Sequence, residues 1–294
     1  NPTVGDIAGN ADQARAAWVE GKAAGADLVA LPEMFLVGYQ TQDLVAKPAF
    51  VADAMAHLMA LAKDCADGPA LSIGGPFVED ERLYNAYFTL RGGKIASCAR
   101  KHFLPNFNVF DEVRLFKSAD IEGPYALNNG ARIGNPICED AWYPDVCEAM
   151  VESGAEILVV PNGSPYFRDK FPIRMNTMVS RVIENEVPLV YINLVGAQDD
   201  QMFDGGSFVV SDGSVAEAAR YQSSDLCFDF DGRQFTAVEG AVDGHLGELE
   251  DLYSALVLAT RDYVNKNKFK GVVLGLSGGI DSALTLAVAV DALG

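Results

Sequence analysis

The chain has 294 residues, 49% of them hydrophobic and 21% charged, enough apolar mass for one large α/β core with further chain to spare. Its 41 acids against 22 bases leave a net charge of −19, which argues against nonspecific binding to nucleic acid or to an anionic membrane surface. No apolar run reaches the roughly 18 residues of a membrane helix, residues 1–20 lack a basic start followed by a hydrophobic core, and five scattered cysteines with only three histidines indicate neither a disulfide framework nor a zinc site, so a cytoplasmic protein without a resident metal is expected.

Residues 11–24 carry Ala14, Ala17, Trp18 and Gly21 at helical spacing, and 25–33 read as a buried strand ending in Leu31-Pro32-Glu33. Residues 84–90 and 94–100 then read as a hairpin around Arg91-Gly92-Gly93. A helix over 144–153, with Pro144 in its first turn, precedes a strand over 154–162, repeating the earlier order of helix, Gly-Ala-acid, apolar strand and proline. A third such unit runs from a helix over 174–186 to a strand over 187–195, and a second hairpin pairs 206–210 with 214–218 around Asp212-Gly213. Helices mixed with crossover strands and hairpins predict a layered α/β fold whose sheets pack face to face.

Residues 231–248 read as a polar linker, and 248–270 as an amphipathic helix with Leu252, Ala255, Leu256, Ala259 and Tyr263 on one face, acids at its start and lysines at its end. That helix leads into a short apolar strand, a glycine-rich turn and a last helix, in the run Gly275-Leu276-Ser277-Gly278-Gly279-Ile280-Asp281-Ser282. Small residues let backbone N–H groups approach an anion, and the helix turns its positive end to the same spot. Residues 275–282 are therefore a candidate phosphate site, although a Ser-Gly-Gly turn also serves as an ordinary helix start. The expected division is a first domain over 1–240, a linker over 241–250 and, from 251, the start of a second domain lying mostly outside the sequence.

Reactive side chains in α/β sheets gather at the carboxyl ends of strands. Three strand ends here deliver Glu33, Lys101 and Cys138. Each is a familiar packing or ion-pairing residue taken singly, and spacing does not show whether they converge. If they do, Lys101 favours the Cys138 thiolate and Glu33 takes the thiol proton and later activates water, a set suited to acyl transfer from an amide or nitrile.

Leu31-Pro-Glu-Met-Phe-Leu-Val-Gly-Tyr39, Arg100-Lys-His-Phe-Leu-Pro-Asn106 and Pro136-Ile-Cys-Glu-Asp140 resemble the Glu, Lys and Cys motifs of the nitrilase superfamily, in that family's chain order. Pro161-Asn-Gly-Ser-Pro165, Asn193-Leu-Val-Gly-Ala-Gln198 and Phe203-Asp-Gly-Gly-Ser207 more narrowly resemble the glutaminase domain of the glutamine-dependent NAD synthetase family, and Ser277 to Ser282 resembles the pyrophosphate loop of its second domain. The resemblance implies a nitrilase-like α-β-β-α sandwich followed by the first strand and helix of a Rossmann-like ATP-pyrophosphatase domain. Cys138 would attack the side-chain amide of L-glutamine, with Glu33 as general base and Lys101 stabilising the oxyanion. Glu112 would help hold the substrate, although without the family it reads as an exposed loop acid.

Phe107, Ser164 and Lys170 stand where the family contacts glutamine, Phe107 replacing an expected tyrosine, and Tyr39 and Trp142 are candidate lining residues. Released ammonia would pass through an internal tunnel to a second site, where ATP with Mg²⁺ activates nicotinic acid adenine dinucleotide and the product is NAD⁺. Gly275 to Ser282 would cradle the ATP phosphates; no Walker A lysine is present. By analogy a homo-oligomer is expected, and Asn1-Pro-Thr-Val-Gly-Asp6 opens without the family's usual first strand. Two rivals are a stand-alone amidase or carbamoylase, against which residues 251–294 argue, and a noncatalytic module of the same fold.

Overall fold

The computed structural model describes residues 1–242 and 246–294. Helix α1 (Ile7–Ala23) starts four residues before the predicted one, because the Asp6 side chain accepts from the Gly9 N–H and caps its first turn. Strand β1 (Leu28–Ala30) is short, and α2 (Pro48–Asp64) carries the chain across to β2 (Ala70–Glu79), parallel to β1. Strands β3 (Arg82–Arg91) and β4 (Lys94–Arg100) continue antiparallel, giving a four-stranded sheet in the order β1-β2-β3-β4.

After the single turn α3 (Glu112–Leu115), β5 (Tyr125–Ala126), β6 (Arg132–Gly134), α4 (Pro144–Glu152), β7 (Ile157–Asn162), α5 (Lys170–Asn185) and β8 (Leu189–Asn193) follow. The hairpin β9 (Val195–Gln198) and β10 (Gln201–Asp204) stands apart, and β11 (Phe208–Ser211) with β12 (Ser214–Glu217) completes a six-stranded sheet in the order β12-β11-β8-β7-β6-β5. Strands β6, β7 and β8 are parallel and linked by α4 and α5, as parallel neighbours require.

Alternation along the strands sorts the layers. Leu158, Val160, Leu189, Tyr191, Phe208 and Val210 pack beneath α4 and α5, whereas Ile157, Val159, Val190 and Val209 join Ala70 of the first sheet in a separate core between the sheets. On the far side α1 and α2 cover Leu71, Ile73, Phe88 and Leu90. The result is an α-β-β-α sandwich. Tyr125 of the second sheet meets the Ser72 hydroxyl of the first across the middle layer, at 3.3 Å.

Three expectations are corrected. The predicted linker over 231–248 contains a strand: β13 (Cys227–Phe230) and β14 (Phe235–Glu239) form a hairpin whose Phe235 joins the core between the sheets. Its alternation is too short to stand out in a polar stretch; residues 243–245 of both this range and the 241–250 linker lie outside the described residues. Next, α6 (Glu248–Lys266) ends before residue 270 and packs on β9 and β10, where the buried Asp262 carboxylate accepts from the Ala197 N–H at 2.8 Å. Finally, the apolar run before the glycine-rich turn forms no strand. Among the described residues no ladder partner lies beside 271–276, and Val273 is fully exposed. The closing helix α7 (Ile280–Leu293) lies along α6, with the Tyr253 hydroxyl donating to Asp291 at 2.6 Å. Among the described residues no helix is long and apolar enough to cross a membrane.

Candidate active site

Glu33 follows β1 by three residues, and its position is made possible by Gly74 on the neighbouring strand: a Cβ there would lie 2.1 Å from the Met34 nitrogen and 2.8 Å from the Glu33 Cα. Only glycine lets the two backbones cross so closely. Lys101 comes directly after β4, with its N–H donating to the Asn85 carbonyl at 2.9 Å. Cys138 opens a 3-10 turn, Cys138–Ala141, with φ of 49°, a left-handed conformation costing about 1–2 kcal/mol in a residue with a Cβ and common at functional sites.

The three strand ends converge. Lys101 Nζ lies 2.8 Å from Glu33 Oε1 and 2.9 Å from Glu112 Oε2, and Lys101 and Glu33 are wholly buried. Burial works against the ammonium, but Glu112 and Glu33 together outweigh it and hold Lys101 well above the ordinary lysine range. Glu33 Oε2 accepts from the Gly163 N–H at 2.7 Å, which orients the carboxylate from the second sheet. Cys138, buried against Tyr87, Ala99 and Ile137, feels both charges. Its thiol is pushed well above its usual range by burial first and by Glu33 next, and Lys101 pulls it down less. Lys101 acts on the thiol in the expected sense, favouring the charged form, but burial and Glu33 oppose it.

Glu112 is not an exposed loop acid. At the start of α3 it is buried, accepts from the Tyr39 hydroxyl at 2.7 Å and faces Lys101; burial chiefly raises its carboxyl above the usual range. Tyr39 is thus also buried, its hydroxyl engaged by Glu112. Ser164 lies behind Gly163 with its hydroxyl accepting from Arg174 Nε at 3.0 Å. Lys170, the first residue of α5, places its ammonium 4.1 Å from the centre of the Trp142 ring, and burial chiefly lowers its titration. Phe107 stands farther out, about half exposed, with its ring against Phe110, which in turn neighbours Tyr39.

Three residues that sequence reasoning passed over hold this arrangement. Asn85 Nδ2 donates to Glu33 Oε1 at 2.7 Å and to Glu112 Oε1 at 3.3 Å. The Asp140 carboxylate accepts from the Phe103 N–H at 2.7 Å, from the His102 N–H at 3.1 Å and from the Ile137 N–H at 3.0 Å, tying the chain after Lys101 to the chain before Cys138. Burial pushes Asp140 up to about 7 against the pull of those N–H groups and of Lys101. Arg174, wholly buried, donates to the Ser164 and Pro165 carbonyls and pairs with Asp204 at 2.7 Å. A polar residue inside a strand of otherwise apolar neighbours, such as Asn85 between Tyr84 and Ala86, was the available sign.

A cavity of about 730 Å³ opens beside Lys170, lined by Phe167, Phe171, Arg220, Leu246 and Asp251 among others; Glu33, Lys101 and Cys138 do not line it. At the other end of the chain, Gly278 has φ of 87° and Gly279 precedes α7 without a side-chain cap. Ser277 and Ser282 are linked through their hydroxyls at 3.1 Å, and residues 275–281 are exposed. Among the described residues no group of three or more His, Cys, Asp or Glu forms a metal cluster.

The carbon-nitrogen hydrolase family model matches residues 1–228, and the NAD synthase model matches residues 252–294. A glutamine-dependent NAD(+) synthetase from Rhodobacter capsulatus is 52% identical over 298 residues, covering 100% of this chain and 54% of its own. One from Aquifex aeolicus is 35% identical, covering 100% and 58%. The structure of a glutamine-dependent NAD+ synthetase from Acinetobacter baumannii in complex with ADP matches with a TM-score of 0.93 at 35% identity, over 100% of this chain and 56% of that one. An amidase from Nesterenkonia sp. matches with a TM-score of 0.64 at 24% identity, over 74% and 82%, a likeness of fold alone. This chain spans about half the length of the curated relatives it matches.

Proposed function

Since the chain belongs to the carbon-nitrogen hydrolase family, we propose that it hydrolyses the side-chain amide of L-glutamine and, as part of a glutamine-dependent NAD+ synthetase, supplies the ammonia for ATP-dependent amidation of nicotinic acid adenine dinucleotide. The observation that carries the chemistry is the fully buried Glu33–Lys101 pair at 2.8 Å, acting electrostatically on a buried thiol at Cys138. As sulfur attacks the amide carbon, the thiol proton passes to Glu33 and the carbonyl oxygen becomes an oxyanion facing Lys101. Collapse breaks the C–N bond, Glu33 returns the proton to the departing nitrogen, and ammonia leaves a glutamyl thioester. Water, losing a proton to Glu33, then releases glutamate and restores the thiol.

Glu112 and Tyr39 keep Lys101 charged and in place, while Ser164, Lys170, Trp142 and Phe107 are the proposed glutamine contacts. Two domains are proposed, meeting through residues 241–250. The uncapped start of α7 fits a phosphate, since Gly279 makes no side-chain cap and Gly278 leaves open space where a Cβ would lie. Ser277, Gly278, Gly279 and Ser282 would hold ATP phosphates, with Gly275, Leu276 and Ile280 flanking. Mg²⁺ would neutralise phosphate charge there, and Asp281, in the first turn of α7, is the acidic residue that could help hold it. A homo-oligomer in the cytoplasm completes the proposal.

The test is exposure to 6-diazo-5-oxo-norleucine, a glutamine mimic that alkylates a nucleophilic thiol, with peptide mass spectrometry and Cys138→Ala as control. Stoichiometric modification of Cys138, blocked by excess L-glutamine, is expected. Absence of an adduct in folded protein would turn the reading toward another amide substrate or a noncatalytic domain.

A further inference from the structure

We propose that Asn85 is a positioning residue for proton transfer: its side-chain NH₂ bridges Glu33 and Glu112 and assigns the two oxygens of Glu33 different tasks. Residues 85, 87 and 89 of β3 alternate onto the face turned toward the second sheet, where Tyr87 packs on Cys138 and Thr89 bonds Ser72. Asn85 is wholly buried in that row. Its backbone carbonyl receives the Lys101 N–H at 2.9 Å, so one residue fixes both the main chain that carries the cation and the carboxylates that pair with it.

The donor count divides Glu33. Oε1 receives Lys101 Nζ at 2.8 Å and Asn85 Nδ2 at 2.7 Å, whereas Oε2 receives, among the described residues, the Gly163 N–H alone, at 2.7 Å. An oxygen with two charge-assisted or amide donors has little capacity left for a proton, so Oε2 is the oxygen that accepts it from Cys138. The same NH₂ spends its second hydrogen on Glu112 Oε1, at 3.3 Å, and holds apart two carboxylates that share one lysine. An aspartate here would present a third negative group to Glu33 and Glu112, and an aliphatic residue would present no donor. The orientation of the amide follows from Glu33 Oε1, which also receives Lys101 Nζ and so accepts.

The charged and titratable groups around Glu33 are Lys101 after β4, Glu112 at α3 with the Tyr39 hydroxyl behind it, and Cys138 and Glu139 in the 3-10 turn. The inference rests on the proposed role of Glu33 as base but not on glutamine as substrate, so its test uses iodoacetamide. The thiol proton passes to Glu33, sulfur bonds to the methylene carbon, and iodide leaves.

Labelling of Cys138 is followed by mass spectrometry from pH 5 to 9 in the parent protein, Asn85→Asp and Asn85→Ser, each checked for native circular dichroism. Asn85→Asp is expected to slow labelling at pH 7 by at least about tenfold and to move the acid limb of the profile upward by about one pH unit. Asn85→Ser, which loses the bridge without adding charge, is expected to move it the same way by less. An unmoved acid limb in either folded variant, whatever the overall rate, would overturn the inference, and Asn85→Ser decides it should the aspartate variant not fold. An unreactive Cys138 in the parent would overturn it too. Iodoacetamide labelling without labelling by the glutamine mimic would instead defeat the glutamine reading alone.

Discussion

Cys138 occupies surroundings poorly suited to a resting thiolate, being buried, backed by Tyr87 and close to the Glu33 carboxylate. In the proposed reaction the thiol proton therefore needs an acceptor, which places the chemical burden on the Glu33–Lys101–Glu112 cluster. Removing the cation should therefore damage both fold and chemistry. Lys101→Met keeps much of the bulk but leaves two buried carboxylates facing one another without a counter-charge. A loss of about 3–5 kcal/mol in stability is expected, read as a lowered urea midpoint. Labelling of Cys138 should fall with it, and an unchanged midpoint would mean that the pair is dispensable to the fold.

At the scale of elements, the site is made where the ends of β1, β4 and β6 meet, and Asp140 is the bolt between two of them. It accepts from the N–H groups of His102 and Phe103 on one segment and of Ile137 on the other. Asp140→Asn conserves shape, yet its amide nitrogen would turn a donor toward one of those donors. A destabilisation of about 1–3 kcal/mol in urea unfolding is expected, with labelling of Cys138 by the glutamine mimic slowed at least about tenfold. The companion element, α6, is attached to the first sandwich through Asp262 and through Asp251, whose carboxylate accepts from the hydroxyls of Tyr166 and Tyr221 and pairs with Arg220. Arg220 pairs in turn with Asp204, the partner of Arg174, so the helix leading to the glycine-rich turn is anchored to the charges that hold Ser164.

Across the whole molecule, four thiols differ sharply from the fifth. Burial raises Cys65 to about 11 and Cys98 and Cys147 to about 12, and lifts Cys138 well above its usual range, whereas Cys227 is exposed. A thiol whose folded-state pKa lies above its unfolded value keeps its proton longer in the native state. The stability this contributes is complete below the unfolded value of about 8.5 and is lost as pH climbs toward 12. Thermal unfolding should accordingly show a melting temperature that declines steadily from about pH 9 upward, and less steeply in Cys147→Ala after allowance for the lost volume. A flat profile to pH 11 would contradict the buried thiols.

Much of this molecule was legible without coordinates. The helix-strand units around 28–30, 157–162 and 189–193 and the hairpins at 91–93 and 212–213 follow from apolar period and turn chemistry, which are local properties. The strand ends carrying Glu33, Lys101 and Cys138 were legible for the same reason, and their motifs and order identified the family. What only the tertiary structure decided is everything that depends on residues distant in sequence. Asn85 matters because β3 carries it to Glu33, 52 residues away, and Glu112 is buried because Lys101 and Tyr39 surround it. Burial and the Glu33 carboxylate, both supplied by distant segments, push the Cys138 thiol upward against the pull of Lys101. Among the described residues the run 271–276, apolar enough for a strand, has no ladder partner, and β-structure is a property of a chain together with its neighbour.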